Sequence, residues 1–131
     1  MSEKIPSNLK YSKDHEWAKQ DQANTFVCGI THHAQDALGE IVYLELPAAG
    51  RQVKKGETIG VVESIKAVSD IYSPITGKIV ESHSALASDP GQINQDPYDK
   101  GWMIKIEVTD PASLEGLMDA NAYGSFVASL K

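Results

Sequence analysis

The sequence has little of what most chemistries require. It has one cysteine, Cys28, so no disulfide can form within the chain, and a reducing, interior compartment is expected. No apolar run approaches the roughly 18 to 20 residues that span a bilayer, so no membrane helix is expected. The opening residues, Met1-Ser2-Glu3-Lys4-Ile5-Pro6, hold no apolar stretch and no arginine-rich pattern, and so read as neither a secretory signal nor a transit peptide. Basic residues are few, 12 against 18 acidic ones, and unclustered; with a net charge of −6 the chain lacks the basic face of a nucleic-acid binder. It has no glycine-rich phosphate loop, nucleophile elbow or spaced catalytic pair, so an enzymatic activity of its own is not supported. Four histidines are present: His15, His32, His33 and His83. On a helix the adjacent His32 and His33 diverge by about 100°. With no second spaced His/Cys set beside them, no metal site is expected.

What remains suits one compact unit. The 131 residues, 41% hydrophobic and 23% charged, suffice for one hydrophobic core, and a single domain over 1–131 is expected. Two short strands are predicted first, Tyr11 to Ala18 and Asn24 to Ile30, around a polar turn at Lys19-Gln20-Asp21-Gln22. Thr31 to Gly39 reads as a short helix, with Thr31 as N-cap and Gly39 as a left-handed stop. A β-rich run, Ile41 to Leu46, ends at Pro47.

The middle of the chain is more regular. A turn at Lys54 to Glu57 leads into an apolar, β-branched strand from Thr58 to Glu63. Ser64-Ile65-Lys66-Ala67 follows, and strand character resumes from Val68 to Tyr72. Another turn, Ser73 to Gly77, and another strand, Lys78 to Glu81, come next. Similar strand-turn-strand units thus flank Lys66, in a hairpin over about 58–72. Beyond Ser84 a short helix and a loop are expected. The alternation of Trp102, Ile104, Ile106 and Val108 predicts a strand over Gly101 to Thr109. Asp110-Pro111 opens a helix with Leu114, Leu117 and Met118 on one face, and a last helix, Ala120 to Leu130, turns Tyr123, Phe126, Val127 and Leu130 inward. Cys28 reads as a small buried hydrophobe, and Trp17, Tyr98, Trp102 and Tyr123 as core or groove-wall residues.

A lysine at the tip of a hairpin between buried strands is well placed to carry a group. It is exposed, its neighbours Ile65 and Ala67 offer no ion pair, and packed strands hold position better than loops do. Taken singly, any lysine is more often a solvated surface residue. The stretch from Gly60 to Gly77, with Glu63-Ser64-Ile65-Lys66-Ala67 at its centre, resembles a lipoyl attachment site. Further blocks extend the resemblance: His15-Glu16-Trp17 after Leu9-Lys10-Tyr11-Ser12, Gly29-Ile30-Thr31 before His33-Ala34-Gln35 and Leu38-Gly39, Leu46-Pro47 before Gly50, then Ile93-Asn94, Pro97-Tyr98, Gly101-Trp102 and Ile104-Lys105. From about Leu9 to about Phe126 the chain resembles the H protein family of the glycine cleavage system.

The resemblance implies a mostly β fold, the lipoyl/biotinyl-type flattened barrel-sandwich hybrid of two small sheets, with short peripheral helices and a C-terminal helix. It implies a covalent cofactor, lipoate on Lys66, in a carrier that is not itself an enzyme. The arm, a lysine stem plus an acyl chain, reaches roughly 14 Å. It would carry the aminomethyl group of glycine from a pyridoxal-phosphate-dependent glycine decarboxylase to a tetrahydrofolate-dependent aminomethyltransferase. A dihydrolipoyl dehydrogenase would then reoxidise it, and a lipoate ligase or lipoyltransferase would attach it in the first place. Glu63 matches a position that helps the attaching enzyme choose its lysine. Gly50 and Gly77 match the family's spacing, and tight turns use such glycines for positive φ. Glu16 and Asp70 match positions near the arm, as carboxylates for a cationic adduct in a protective groove; the alternative is that both are ordinary surface carboxylates. Biotin carriers share the architecture, but methionines typically flank their lysine, and here no methionine lies between Met1 and Met103. A monomer in the cytoplasm is expected, or in the mitochondrial matrix if the precursor carries a transit peptide. Two other roles stay open: an H-like lipoyl relay serving lipoate transfer or another pathway, and an interaction domain that carries no modification.

Overall fold

The computed structural model describes residues 5–130. The strands are β1 (Lys10–Tyr11), β2 (Glu16–Gln22), β3 (Thr25–Ile30), β4 (Ile41–Glu45), β5 (Gln52–Val53), β6 (Thr58–Ser64), β7 (Val68–Tyr72), β8 (Gly77–Ser82) and β9 (Ile104–Val108). They form two antiparallel sheets, one of six strands in the order β1-β2-β3-β9-β8-β5 and one of three in the order β4-β6-β7. The sheets face each other across one apolar layer. Cys28, Ile30, Val53, Ile79 and Ile106 meet Ile41, Leu44, Ile59, Val62 and Ile71 there, joined by Ile75 from the turn between β7 and β8. Each such side chain contributes about 1.5–3 kcal/mol by leaving water.

A smaller cluster, Leu9, Tyr11, Trp17, Tyr123 and Val127, lies under the C-terminal helix. The helices are peripheral: α1 (His32–Leu38), α2 (Ser84–Ala87), α3 (Gln92–Gln95) and α4 (Ala120–Ser129). The mostly β architecture, the short edge helices and the C-terminal helix are as expected. Among the described residues no helix is long and apolar enough to cross a membrane.

Several local expectations need correction. Lys19 to Gln22 is not a turn. These residues continue β2, where Lys19 pairs with Val27 and Gln22 with Thr25; the turn is Ala23-Asn24. They are polar because that end of the strand is exposed. Tyr11 to Ala18 is not one strand, because a turn at Ser12 to His15 breaks it, with His15 at φ 65°. Asp110 and Pro111 open only a 3-10 turn, Pro111–Leu114, with the Asp110 side chain accepting from the Ala112 N–H. Met118 instead makes an isolated bridge to Tyr11. Leu130 is exposed rather than inward. Trp102 precedes β9 and is half-buried. Residues 84–98 hold two one-turn helices, not one.

Candidate functional site

β6 and β7 pair from Thr58 opposite Tyr72 to Glu63 opposite Val68, leaving a tight turn at Ser64 to Ala67. The turn closes on itself. The Ser64 N–H donates to the Ala67 carbonyl at 2.8 Å. The Ser64 hydroxyl oxygen accepts from the Lys66 N–H at 3.2 Å and the Ala67 N–H at 3.0 Å. Sequence reasoning gave Ser64 no role. Its signal was a hydroxyl residue at the last strand position, two before the lysine, which can bond the backbone just ahead of it.

The tip is also tied to the rest of the fold. The Ile65 N–H donates to the Glu40 carbonyl at 3.0 Å. Glu40 follows α1, which starts at the N-cap Thr31 and ends at Gly39 with φ 85°, as its sequence predicts. Asn94 on α3 fixes that helix end. Its amide nitrogen donates to the Gln35 side chain and the Gly39 carbonyl, both at 2.9 Å, and its oxygen accepts from the Ile41 N–H at 2.9 Å. A Cβ on Gly39 would lie 3.3 Å from Cε of Lys66, so the lysine stem runs alongside this glycine. Lys66 itself is exposed, and its amine has no hydrogen bond or ion pair among the described residues.

Of the other residues singled out in the sequence, Glu63 is half-buried on the outer face of the hairpin, and Asp70 is exposed farther down β7. Glu16 belongs to the opposite sheet and is only 3% exposed. One carboxyl oxygen accepts from the Ser12 hydroxyl at 2.9 Å and the other from the Tyr72 N–H at 3.1 Å. Burial pushes its pKa up to about 8 despite those bonds. It is therefore not an ordinary surface carboxylate. It also lines an apolar crevice with Cys28, Leu46, Ile71 and Met103.

Gly50 has φ 95°, as a tight turn demands. Gly77 does not have a positive φ. It is glycine because a Cβ there would stand 2.2 Å from the Glu107 carbonyl oxygen on β9. Both glycines brace β8, since the Gly50 N–H donates to the Ile79 carbonyl and Gly77 pairs with Val53 and Val108. They support the sandwich and do not touch the lysine.

Two small antiparallel sheets packed face to face, with a lysine held out on a β-hairpin, make this fold the lipoyl/biotinyl-type barrel-sandwich hybrid of carrier domains. The particular family follows from comparison. Residues 9–130 match the family described as glycine cleavage H-protein. A glycine cleavage system H protein of Anaeromyxobacter sp. (strain K) is 54% identical over 123 residues, 94% of this chain and 95% of that protein. One from Myxococcus xanthus is 50% identical over the same shares. The crystal structure of a glycine cleavage system H protein from Mycobacterium marinum superposes with a TM-score of 0.86 at 37% identity, covering 95% of this chain and 99% of that one. The chain belongs to the glycine cleavage H-protein family.

Proposed function

We propose that Lys66 carries lipoate and that the whole chain works as one monomeric carrier unit of the glycine cleavage system, not as an enzyme. The observation that carries this is the Lys66 amine, exposed and unpaired on a turn held by Ser64 and by the Ile65–Glu40 bond. These residues fit a covalently held acyl chain. The amine has no partner to give up, and the backbone at its root is fixed, so the reach of the arm is set by the arm and not by loop motion. Lipoate bound there supplies disulfide–dithiol redox chemistry and a sulfur that accepts the aminomethyl group of glycine.

This chain's residues supply placement. Ser64 and Asn94 hold the turn, and the stem of Lys66 lies against Gly39. Glu63 marks the lysine for attachment. Asp70 offers an exposed carboxylate to a cation on the arm, and Glu16 a buried carboxyl. Four partners belong to this reading: a pyridoxal-phosphate-dependent glycine decarboxylase, a tetrahydrofolate-dependent aminomethyltransferase, dihydrolipoyl dehydrogenase, and a lipoate ligase or lipoyltransferase. A cytoplasmic location is part of it too, supported by the bacterial source of the relatives named above and by the lone, buried Cys28.

The test is intact mass after incubation with a lipoate ligase, ATP and lipoate. Attachment forms one amide between Lys66 Nζ and the acyl carbon, with loss of the AMP leaving group and one amine proton. One lipoyl unit on the wild type and none on Lys66→Ala is expected. Addition to neither or to both overturns the assignment.

A further inference from the structure

The three strands of the smaller sheet contain no lysine or arginine, and their outward side chains fall in two rows fixed by register. Tyr43, Glu63 and Val68 lie directly across from one another in the row next to the tip, and Glu45, Val61 and Asp70 form the row behind. The first row is unusually apolar for a solvent face. Tyr43 is 45% exposed and Val68 68%, with Ile65 at 70% on the tip and Val42 at 50% at the β4 bulge. Four of the six large exposed hydrophobic residues among those described thus lie on this sheet or on the turn that bears Lys66. Around them stand Glu45, Glu63 and Asp70, none in an ion pair among the described residues. The Tyr43 hydroxyl donates to Glu45 at 3.1 Å, which orients the ring on this face.

An apolar centre with an uncompensated acidic rim has the anatomy of a docking patch for a protein with an apolar, basic-rimmed face. Several proteins must meet this carrier, and reach separates them. Enzymes that work on the end of the arm act about 14 Å beyond the lysine. The enzyme that attaches the arm must bring an acyl carbon to Nζ itself, and so must cover the residues at the lysine's root. Behind the turn itself, the first outward row of the sheet that such an enzyme meets is Tyr43, Glu63 and Val68.

We propose that the outer face of the β4-β6-β7 sheet, centred on Tyr43 and Val68 and rimmed by Glu45, is the surface that receives the lipoate-attaching enzyme. This rests on the assignment of the arm to Lys66, and it extends recognition beyond the hairpin to an aromatic residue on a neighbouring strand.

The experiment measures KM and kcat for ligation of the unmodified chain by a lipoate ligase with ATP and lipoate, together with the direct affinity of ligase for carrier. The variants are Tyr43→Ala, Val68→Ser and Glu45→Lys. Val80→Ser, exposed on β8 of the other sheet, is the control. Each of the three should raise KM and weaken direct binding by at least about fivefold, with kcat within about twofold. The wild-type KM should rise with added salt, and more steeply than that of Glu45→Lys. Circular dichroism and the melting temperature establish that each variant is folded. If Lys66 of the wild type is modified but all three variants keep the wild-type KM and affinity, the patch is wrong while the lysine assignment stands. If Val80→Ser shifts KM as much as they do, the patch is also wrong. If the wild type is not modified at Lys66, the assignment itself fails.

Discussion

The carboxyl of Glu16, on the six-stranded sheet, accepts the backbone N–H of Tyr72, on the three-stranded sheet, at 3.1 Å. This bond joins the two layers beside the hairpin that bears Lys66, and it does so with a group that would be charged in water.

A pH dependence of stability follows. Unfolded, Glu16 loses its proton near 4.5; folded, it keeps it to about 8 because burial disfavours the anion. Below the lower value both states are protonated and nothing changes. Between the two, unfolding releases a proton, so stability falls as pH rises, by up to ~1.4 kcal/mol per unit, and levels off above the higher value. Glu16→Gln keeps an oxygen for Tyr72 and an amide for Ser12 but cannot ionise. In urea denaturation the stability of the variant relative to wild type should therefore be greater at pH 8 than at pH 5. Equal differences at both pH values would remove Glu16 as the source.

The two glycines matched to the family should behave differently. Gly77→Ala places a methyl 2.2 Å from the Glu107 carbonyl oxygen and 2.7 Å from Ile106 Cγ2, both inside the packed sheet. A loss of about 3 kcal/mol is expected. Gly50→Ala meets no atom within 4 Å and is strained only by its positive φ. About 1–2 kcal/mol is expected there. Melting temperatures of the pair decide it, and a larger loss at Gly50 would contradict the packing argument.

Much of this was legible in the sequence. The helix at 31–39 could be bounded because both of its ends carry cap chemistry, Thr31 at the start and Gly39 at the end. The hairpin could be read because β-branched runs stand on either side of a short tip. Polarity misled at Lys19 to Gln22, since exposed strand and turn look alike in composition. The break at Ser12 to His15 carries no glycine or proline at all; its left-handed residue is a histidine whose ring bonds the Tyr123 hydroxyl at 2.8 Å, a contact 108 positions away. β5 is two residues long and exists only because β8 pairs with it. Glu16 could be singled out, but its burial could not be seen, because that depends on a strand 56 residues downstream.

Asn94 should matter to the tip without touching Lys66. Asn94→Ala leaves the Ile41 N–H and the Gly39 carbonyl without their side-chain partner. A loss of about 2 kcal/mol is expected. Faster hydrogen exchange at the Ile65 amide, whose acceptor Glu40 lies between those two residues, is expected alongside. Unchanged exchange at Ile65 would show that the helix end does not steady the turn.

Cys28 should be inert. Its thiol is buried, and burial pushes its pKa up, so little thiolate forms. A thiol reagent should label the native chain only at the rate of unfolding and the urea-unfolded chain fully. Fast labelling of the native chain would mean that the core opens there.

The anchored turn also sets a concentration. If Lys66 carries the proposed arm and its root stays put, a group on that arm of about 14 Å is confined to roughly a hemisphere, equivalent to about 0.3 M as seen from any site inside it. A partner that settles on the surrounding face need not capture the end of the arm by affinity, because the tether has already delivered it. On the proposed assignment such encounters can be brief, and one small carrier can serve several partners in turn without being held by any of them.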